Sequence, residues 1–231
     1  MSGRTRPSDT SPVRAAAKSG ERPSSSASQD PWRDRILATA AGIFARDGYS
    51  DTDLQDVADA LGIGKASVYR RFPSKQELFL AAVDDGMRRM KKSVDAAIER
   101  VEDPLEEISG AVVAYLAFFD AEPELAELLI LERARFKDRK KPTYFEHREA
   151  NVHRWRALYE RLMLEGRLRR MPVDRITDVL SNLVYGTMFT NHFAGRTKPF
   201  EQQAADILDV FFHGVLAARS APKRARKRRR S

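Results

Sequence analysis

Residues 52–75 read TDLQDVADALGIGKASVYRRFPSK, and the rest of the chain is organised around them. Leu54, Val57, Ala58 and Leu61 recur at i, i+3, i+4 and i+7, which is one apolar face of a short helix. Thr52 or Asp53 stands where a side-chain oxygen can accept from the first free amides of that helix. Gly62 follows where the chain has to turn, since a residue without a Cβ enters the left-handed region at little cost. Ile63 plugs the corner, and residues 65–71 make a second helix, completing a helix-turn-helix. This second helix carries Lys65, Ser67, Tyr69, Arg70 and Arg71 within seven residues. Those donors suit phosphates and guanine edges in a DNA major groove. An amphipathic helix pair with a glycine between is also an ordinary packing unit, so the flanking sequence has to decide between the two.

Upstream, RDRILATAAGIFARDGYS places Ile36, Ala40, Ile43 and Phe44 on one stripe, with Gly48 as a helix stop and Tyr49 behind it. Downstream, Phe72-Pro73 ends the second helix, and Ser74 with Glu77 forms a capping box that opens a long helix. With FARDGY, T-x-L-x-D-V-A and LGIGKASVYRRFPSKQELF in this order, residues 33–80 resemble the TetR family of bacterial transcriptional regulators. The Gly, Tyr, Phe and Lys spacings agree together, which makes the match specific. Two positions depart from the commonest pattern: Gly64 and Ala66 stand where the family often has Ser or Thr and then Gly, which weakens the cap of the second helix. The resemblance implies a DNA-binding surface made of Thr52, Gln55, Lys65, Ala66, Ser67, Tyr69, Arg70, Arg71 and Lys75. Within it Thr52, Tyr69 and Lys75 are expected at phosphates, and Gln55, Lys65, Ser67 and Arg70 nearer the bases.

Residues 1–30, rich in Ser, Arg, Pro and Ala, lack the apolar side chains to fold alone and read as a disordered basic arm. Beyond the helix-turn-helix the periodicity gives a long helix from Lys75 to about Val101 and another opened by Asp103-Pro104. Pro123 opens a further helix that runs into the basic segment ERARFKDRKKP, expected as a mobile loop ending at Pro142. Helices follow over 144–165, closed by Gly166, over 173–193, and over about 200–218. The helix over 173–193 is apolar on more than one side and needs two neighbours. No strand alternation or repeat period is visible, so the expected fold is all-α, about nine helices. Residues 31–77 form an N-terminal three-helix reader, a long helix joins it to a C-terminal bundle over 78–219, and 220–231 is a disordered basic tail.

The 231 residues, 42% hydrophobic, are enough for a real core. The formal net charge is +8, and residues 219–231 alone carry eight basic side chains and no acidic one, so the rest of the chain is balanced. The argument for nucleic acid therefore rests on the helix-turn-helix and not on overall charge. The sequence shows neither a signal-type segment nor an apolar run of membrane-spanning length, and a cytoplasmic protein is expected. There is no cysteine, which removes thiol chemistry and Cys-type zinc sites. His147 and His153 sit six residues apart on a helix, off a common face, so no metal site is assigned and no cofactor is expected. The usual phosphate-loop, serine-nucleophile and zinc-hydrolase signatures are missing, and an enzyme is not expected.

Tyr115, Phe118, Phe119, Phe136, Tyr144, Trp155, Tyr159, Phe189 and His192 are candidate walls of a ligand cavity in the bundle, although helical spacing of aromatics is equally the signature of core. The resemblance implies a small-molecule pocket in that bundle and dimerisation through its last two helices. The paired faces are then Ile176, Leu180 and Val184 with Ile207, Leu208, Phe211, Phe212 and Val215. The leading reading is a homodimeric repressor released from a palindromic operator by an apolar or amphipathic effector. The basic segment 133–141 beside Phe136 and Tyr144 suggests an anionic amphiphile such as an acyl compound. The alternatives are a sequence-indifferent, nucleoid-type DNA-binding protein that uses its basic tail, a regulator without ligand, and a helical-bundle enzyme. Deleting residues 222–231 is expected to weaken specific and nonspecific DNA binding alike and to flatten the salt dependence.

Overall fold

The computed structural model describes residues 30–215; among them nine helices and no strand are present. In chain order these are α1 (Pro31–Asp51), α2 (Leu54–Leu61), α3 (Lys65–Tyr69), α4 (Lys75–Ile98), α5 (Pro104–Ala121), α6 (Pro123–Arg135), α7 (Thr143–Leu164), α8 (Val173–Ala194) and α9 (Phe200–Val215). The basic arm before residue 30 and the tail after residue 215 lie outside the described residues.

Local chemistry sets most of the boundaries. The Asp30 carboxylate accepts from the Trp32 amide at 3.1 Å, and Pro31 occupies a position where no amide is needed. Gly48 breaks α1 at φ 80°, a backbone that L side chains rarely adopt, so the last turn is re-aimed. Of the two cap candidates before α2, Asp53 is the cap. It accepts from the Gln55 amide at 2.7 Å, while Asp56 accepts from the Asp53 amide at 2.6 Å. Gly62 closes α2 at φ 65° and donates to carbonyls of the last turn. Gly64 offers α3 no side-chain cap, and α3 ends at Tyr69, two residues short of the expected Arg71. Ser74 accepts from the Glu77 amide at 3.1 Å and starts α4.

Helices α1–α3 close on Ile36, Leu37, Ala40, Phe44, Leu54, Val57, Ala58 and Val68, and the core then runs on without a gap through Leu78, Phe79 and Val83 of α4 into the bundle. Each Val, Leu, Ile or Phe side chain among them contributes about 1.5–3 kcal/mol on removal from water. At Gly86 a Cβ would lie 2.6 Å from a Leu125 methyl, so Leu125 of α6 packs directly on the α4 backbone there.

The segment after α6 differs from the mobile loop expected of it. Glu132 is buried, and its carboxylate accepts from Arg139 at 2.6 Å, from the Thr143 amide at 3.0 Å and from the Thr143 hydroxyl at 2.8 Å. A buried carboxylate has to be satisfied this way, and doing so staples the end of α6 to the start of α7.

Candidate functional site

The outer face of α3 and its approach are built by these caps and corners. Ala66, Tyr69 and Arg70 stand outward, Tyr69 with 41% of its surface exposed. Arg70 makes one long contact to the Ser67 hydroxyl at 3.4 Å. Lys65 donates to Asp53 at 2.9 Å and lies over the Tyr69 ring at 5.6 Å. Gln55 donates to Asp59 at 2.6 Å. The Gln55 amide, and after it the Lys65 ammonium, hold the Asp53 carboxyl below its ordinary value, and Asp53 raises the Lys65 ammonium in return.

Three of the expected DNA contacts are engaged within the scaffold. Thr52 is 2% exposed, and its hydroxyl donates to the Gly48 carbonyl at 2.7 Å, so its side chain does not stand open to a phosphate. The Lys75 ammonium donates to the Ser50 and Thr52 carbonyls at 3.0 and 2.8 Å and sits 4.9 Å from the Tyr49 ring centre. Breaking α1 at Gly48 strands these carbonyls, and Thr52 and Lys75 satisfy them. Arg71 likewise donates to Asp30 at 2.8 Å and to the Ser67 carbonyl at 3.3 Å, tying α3 to the start of α1.

Behind the reader, Tyr49 meets Phe79 at 5.2 Å and Phe136 at 5.2 Å, and Phe44 meets Phe79 edge-on at 5.1 Å. Phe136, expected in a ligand cavity, therefore belongs to the joint between reader and bundle, because the stapled loop turns it toward α1 and α4.

A cavity of about 190 Å³, open to solvent on one side, lies between α4, α5, α7 and α8. Tyr115, Tyr144, Trp155 and Tyr159 line it as expected, together with Met87, Met90, Val94, His147, Asn151 and Ser181. Burial raises the phenols, Tyr144 to about 12. The other aromatics lie elsewhere. Phe118 is buried against Phe119; Phe119 and His192 border a separate cavity of about 210 Å³ between α5, α6 and α8; Phe189 packs on Tyr185 at 4.7 Å. Met87, Met90 and Val94 were visible as an apolar stripe on α4, but a stripe does not show whether it meets a side chain or a void. His147 was weighed only as a metal ligand; its Nε2 lies 2.7 Å from Asp84 on α4.

The faces expected to pair two chains lie partly inside the single chain. Ile176, Leu180, Val184 and Phe211 are buried inside the single chain, and Ile207, Leu208 and Phe212 are half-buried against the same core. The apolar surface left open is Val179, Leu183 and Phe193 on α8 and Val210 on α9; Phe193 and Val210 are each 70% exposed. Because α8 is apolar on two sides, periodicity alone did not say which stripe faces inward. The side chain of Val215 lies outside the described residues.

A capped helix, a glycine turn and a short donor-bearing helix, closed by α1 and followed by a long helix into an all-α bundle, make a helix-turn-helix of the DNA-binding type. Residues 36–82 match the family model described as "Bacterial regulatory proteins, tetR family", and this segment of the chain is a TetR-family DNA-binding region. It is similar to the transcriptional activator FasR of Mycolicibacterium smegmatis, 28% identical over 40% of this chain and 42% of that protein. It is similar to the repressor KstR2 of the same organism, 30% identical over 38% of this chain and 42% of that protein. The alignments thus span about two fifths of the length of these two relatives. The nucleoid occlusion factor SlmA of Vibrio cholerae is 28% identical over 62% of this chain and 73% of that protein. Among solved structures, the fatty acid degradation regulator FadR of Bacillus halodurans superposes with a TM-score of 0.69 at 14% identity, over 79% of this chain and 95% of that one. This last likeness concerns the fold. Relatives named as transcription regulators agree with the expectation that the chain is not an enzyme. Among the described residues no helix is long and apolar enough to cross a membrane.

Proposed function

We propose that the protein binds a palindromic operator as a homodimer and is released from it by a small molecule held in the bundle cavity, acting as a repressor. Residues 31–77 are the reader and 78–219 the control and dimerisation bundle. Arg70, Lys65, Ser67 and Gln55 read bases, with Tyr69 on a phosphate. Ala66 leaves room for the backbone to approach. Thr52, Arg71 and Lys75 act by holding the corners of the helix-turn-helix. A two-fold protein places two readers on two half-sites about one or more helical turns apart.

One observation carries the control: α4 supplies Phe79 to the reader joint and Met87, Met90 and Val94 to the cavity wall, so one rigid element touches both. A ligand changes DNA affinity only by binding two states differently, with typical couplings of about 1–3 kcal/mol. The basic segment that suggested an acyl-type effector contributes no residue to the cavity wall, and two of its six basic residues are paired, Arg139 with Glu132 and Glu146 and Lys141 with Glu149.

The reading is tested by selecting genomic fragments with the purified full-length protein. A recovered palindrome that outcompetes random duplex at moderate salt is the expected result, and equal competition by random duplex overturns it. A second reading is favoured by the length of the match to the nucleoid occlusion factor, which extends well past the reader. Selected sites scattered through the genome, away from the starts of genes, would favour that role.

A further inference from the structure

The three phenols of the bundle cavity make an unusual donor count. Tyr115 and Tyr144 place their hydroxyls 3.3 Å apart, so one donates to the other and the second proton of the pair has no taker between them. Tyr159, 2% exposed, lines the same cavity, and its hydroxyl has no hydrogen-bond partner among the described residues. Burial pushes all three phenols up, so they remain protonated donors.

The charged groups on the cavity wall tell the complementary story. Lys91 pairs with Asp95; Arg154 donates to Asp95 at 3.1 Å and to Glu107 at 2.7 Å. Arg148 donates to Asp178 at 2.7 Å, and His147 lies 2.7 Å from Asp84. Each cation of the wall already has a carboxylate, and an anionic ligand would have to break one of these pairs to find a partner. Met87, Met90, Val94, Ile108, Val112 and Trp155 make the remainder apolar. The volume of about 190 Å³ exceeds only modestly the roughly 150 Å³ apolar hole that accepts a benzene.

We infer that this cavity takes a compact neutral molecule, about one ring in size, held by a carbonyl or ether oxygen that accepts from Tyr159 and from the Tyr115–Tyr144 pair. The inference rests on reading the cavity as the effector site, and it names the chemistry of that effector.

The test uses three probes of nearly one shape: acetophenone, cumene, in which a methyl replaces the oxygen, and benzoate, in which an anionic oxygen replaces the methyl. Titration calorimetry on the full-length protein is expected to rank acetophenone first, about three- to tenfold tighter than cumene, the worth of one to two neutral hydrogen bonds. Benzoate ranks last. Tyr159→Phe and, separately, Tyr144→Phe are expected to narrow the acetophenone-to-cumene gap while leaving cumene affinity unchanged, which also shows that the variant is folded. Benzoate binding as tightly as acetophenone, a gap unaltered in both variants, or no binding of any probe overturns the inference; if a variant loses cumene as well, the wild-type ranking decides. Operator release is measured in parallel. Ranked binding without release overturns the effector reading and leaves the ligand chemistry standing, whereas release by some other compound with none of the three probes bound does the reverse.

Discussion

In the reader, a small core closes around Phe44 and Val68, and the polar side chains above it are mostly held by neighbours: Lys65 by Asp53, Gln55 by Asp59, Arg71 by Asp30, Lys75 by two carbonyls. In the bundle the polar surface is also paired, but the apolar material is left incomplete twice, inside as a cavity and outside as the open stripe of Val179, Leu183, Phe193 and Val210. A surface that docks on a rigid partner gains from pre-set side chains, since less rotamer freedom is lost on binding. A region with the proposed guest and second chain to accept needs unfilled apolar space. The two halves are finished to different degrees, which fits the different partners proposed for them.

The contrast breaks or holds first on α8. Leu180→Glu puts an unpaired charge into the core and is expected to give no stable fold, a loss of several kcal/mol. Leu183→Glu, about a quarter-turn around α8 from the core stripe, is expected to fold and to sediment as a monomer. A dimeric Leu183→Glu protein would place the two-fold interface elsewhere. Next comes the joint: Phe79→Ala empties the centre of the Phe44–Tyr49–Phe136 cluster and should cost about 3–5 kcal/mol by chemical denaturation. A loss below about 1 kcal/mol would show that reader and bundle are not joined there.

Arg70→Ala tests the other surface. Its side chain supports little in the fold, so stability should hold, while binding to the preferred operator weakens by about 1–3 kcal/mol and discrimination relaxes at one base pair. Equal weakening on every duplex would make Arg70 a phosphate contact. The smallest effect is at Asp103. The Leu105 amide, followed by Arg167, holds its carboxyl below the ordinary value of 3.8. Its contribution is therefore present above that value and is lost as pH falls through the lower folded-state value. Asp103→Asn keeps the cap but not the charge. Its melting temperature should lie slightly below wild type at neutral pH, and the gap should close in acid. A gap independent of pH would mean that the charge contributes nothing.

What the sequence made legible was whatever is decided locally. The Asp103-Pro104 start, the Ser74–Glu77 cap and the turns at Gly48 and Gly62 depend on residues within a few positions, and the structure has them where the pattern put them. The TetR resemblance carried the reader as a whole. The face of α8 was not legible, since two apolar stripes share one helix and only the neighbours choose between them. Phe136 was misplaced for the same reason: its direction follows from Glu132, a buried acid that looked like one member of a charged run. Thr52 and Lys75 were read by their matched positions, while the carbonyls they satisfy become visible only once the chain bends at Gly48.

The close approach at Gly86 has a mechanical consequence. With no side chain between α4 and Leu125, the two helices touch backbone to side chain at this point. At 1.5 Å per residue, Phe79 lies about 10 Å along the axis on one side and Val94 about 12 Å on the other. A rigid tilt of α4 about this contact would have nearly equal arms and would neither amplify nor damp: one ångström at the cavity end would become about one at the reader end, in the opposite sense. Any gain in such a device has to come from how sharply DNA penalises a misplaced α3, and not from the protein.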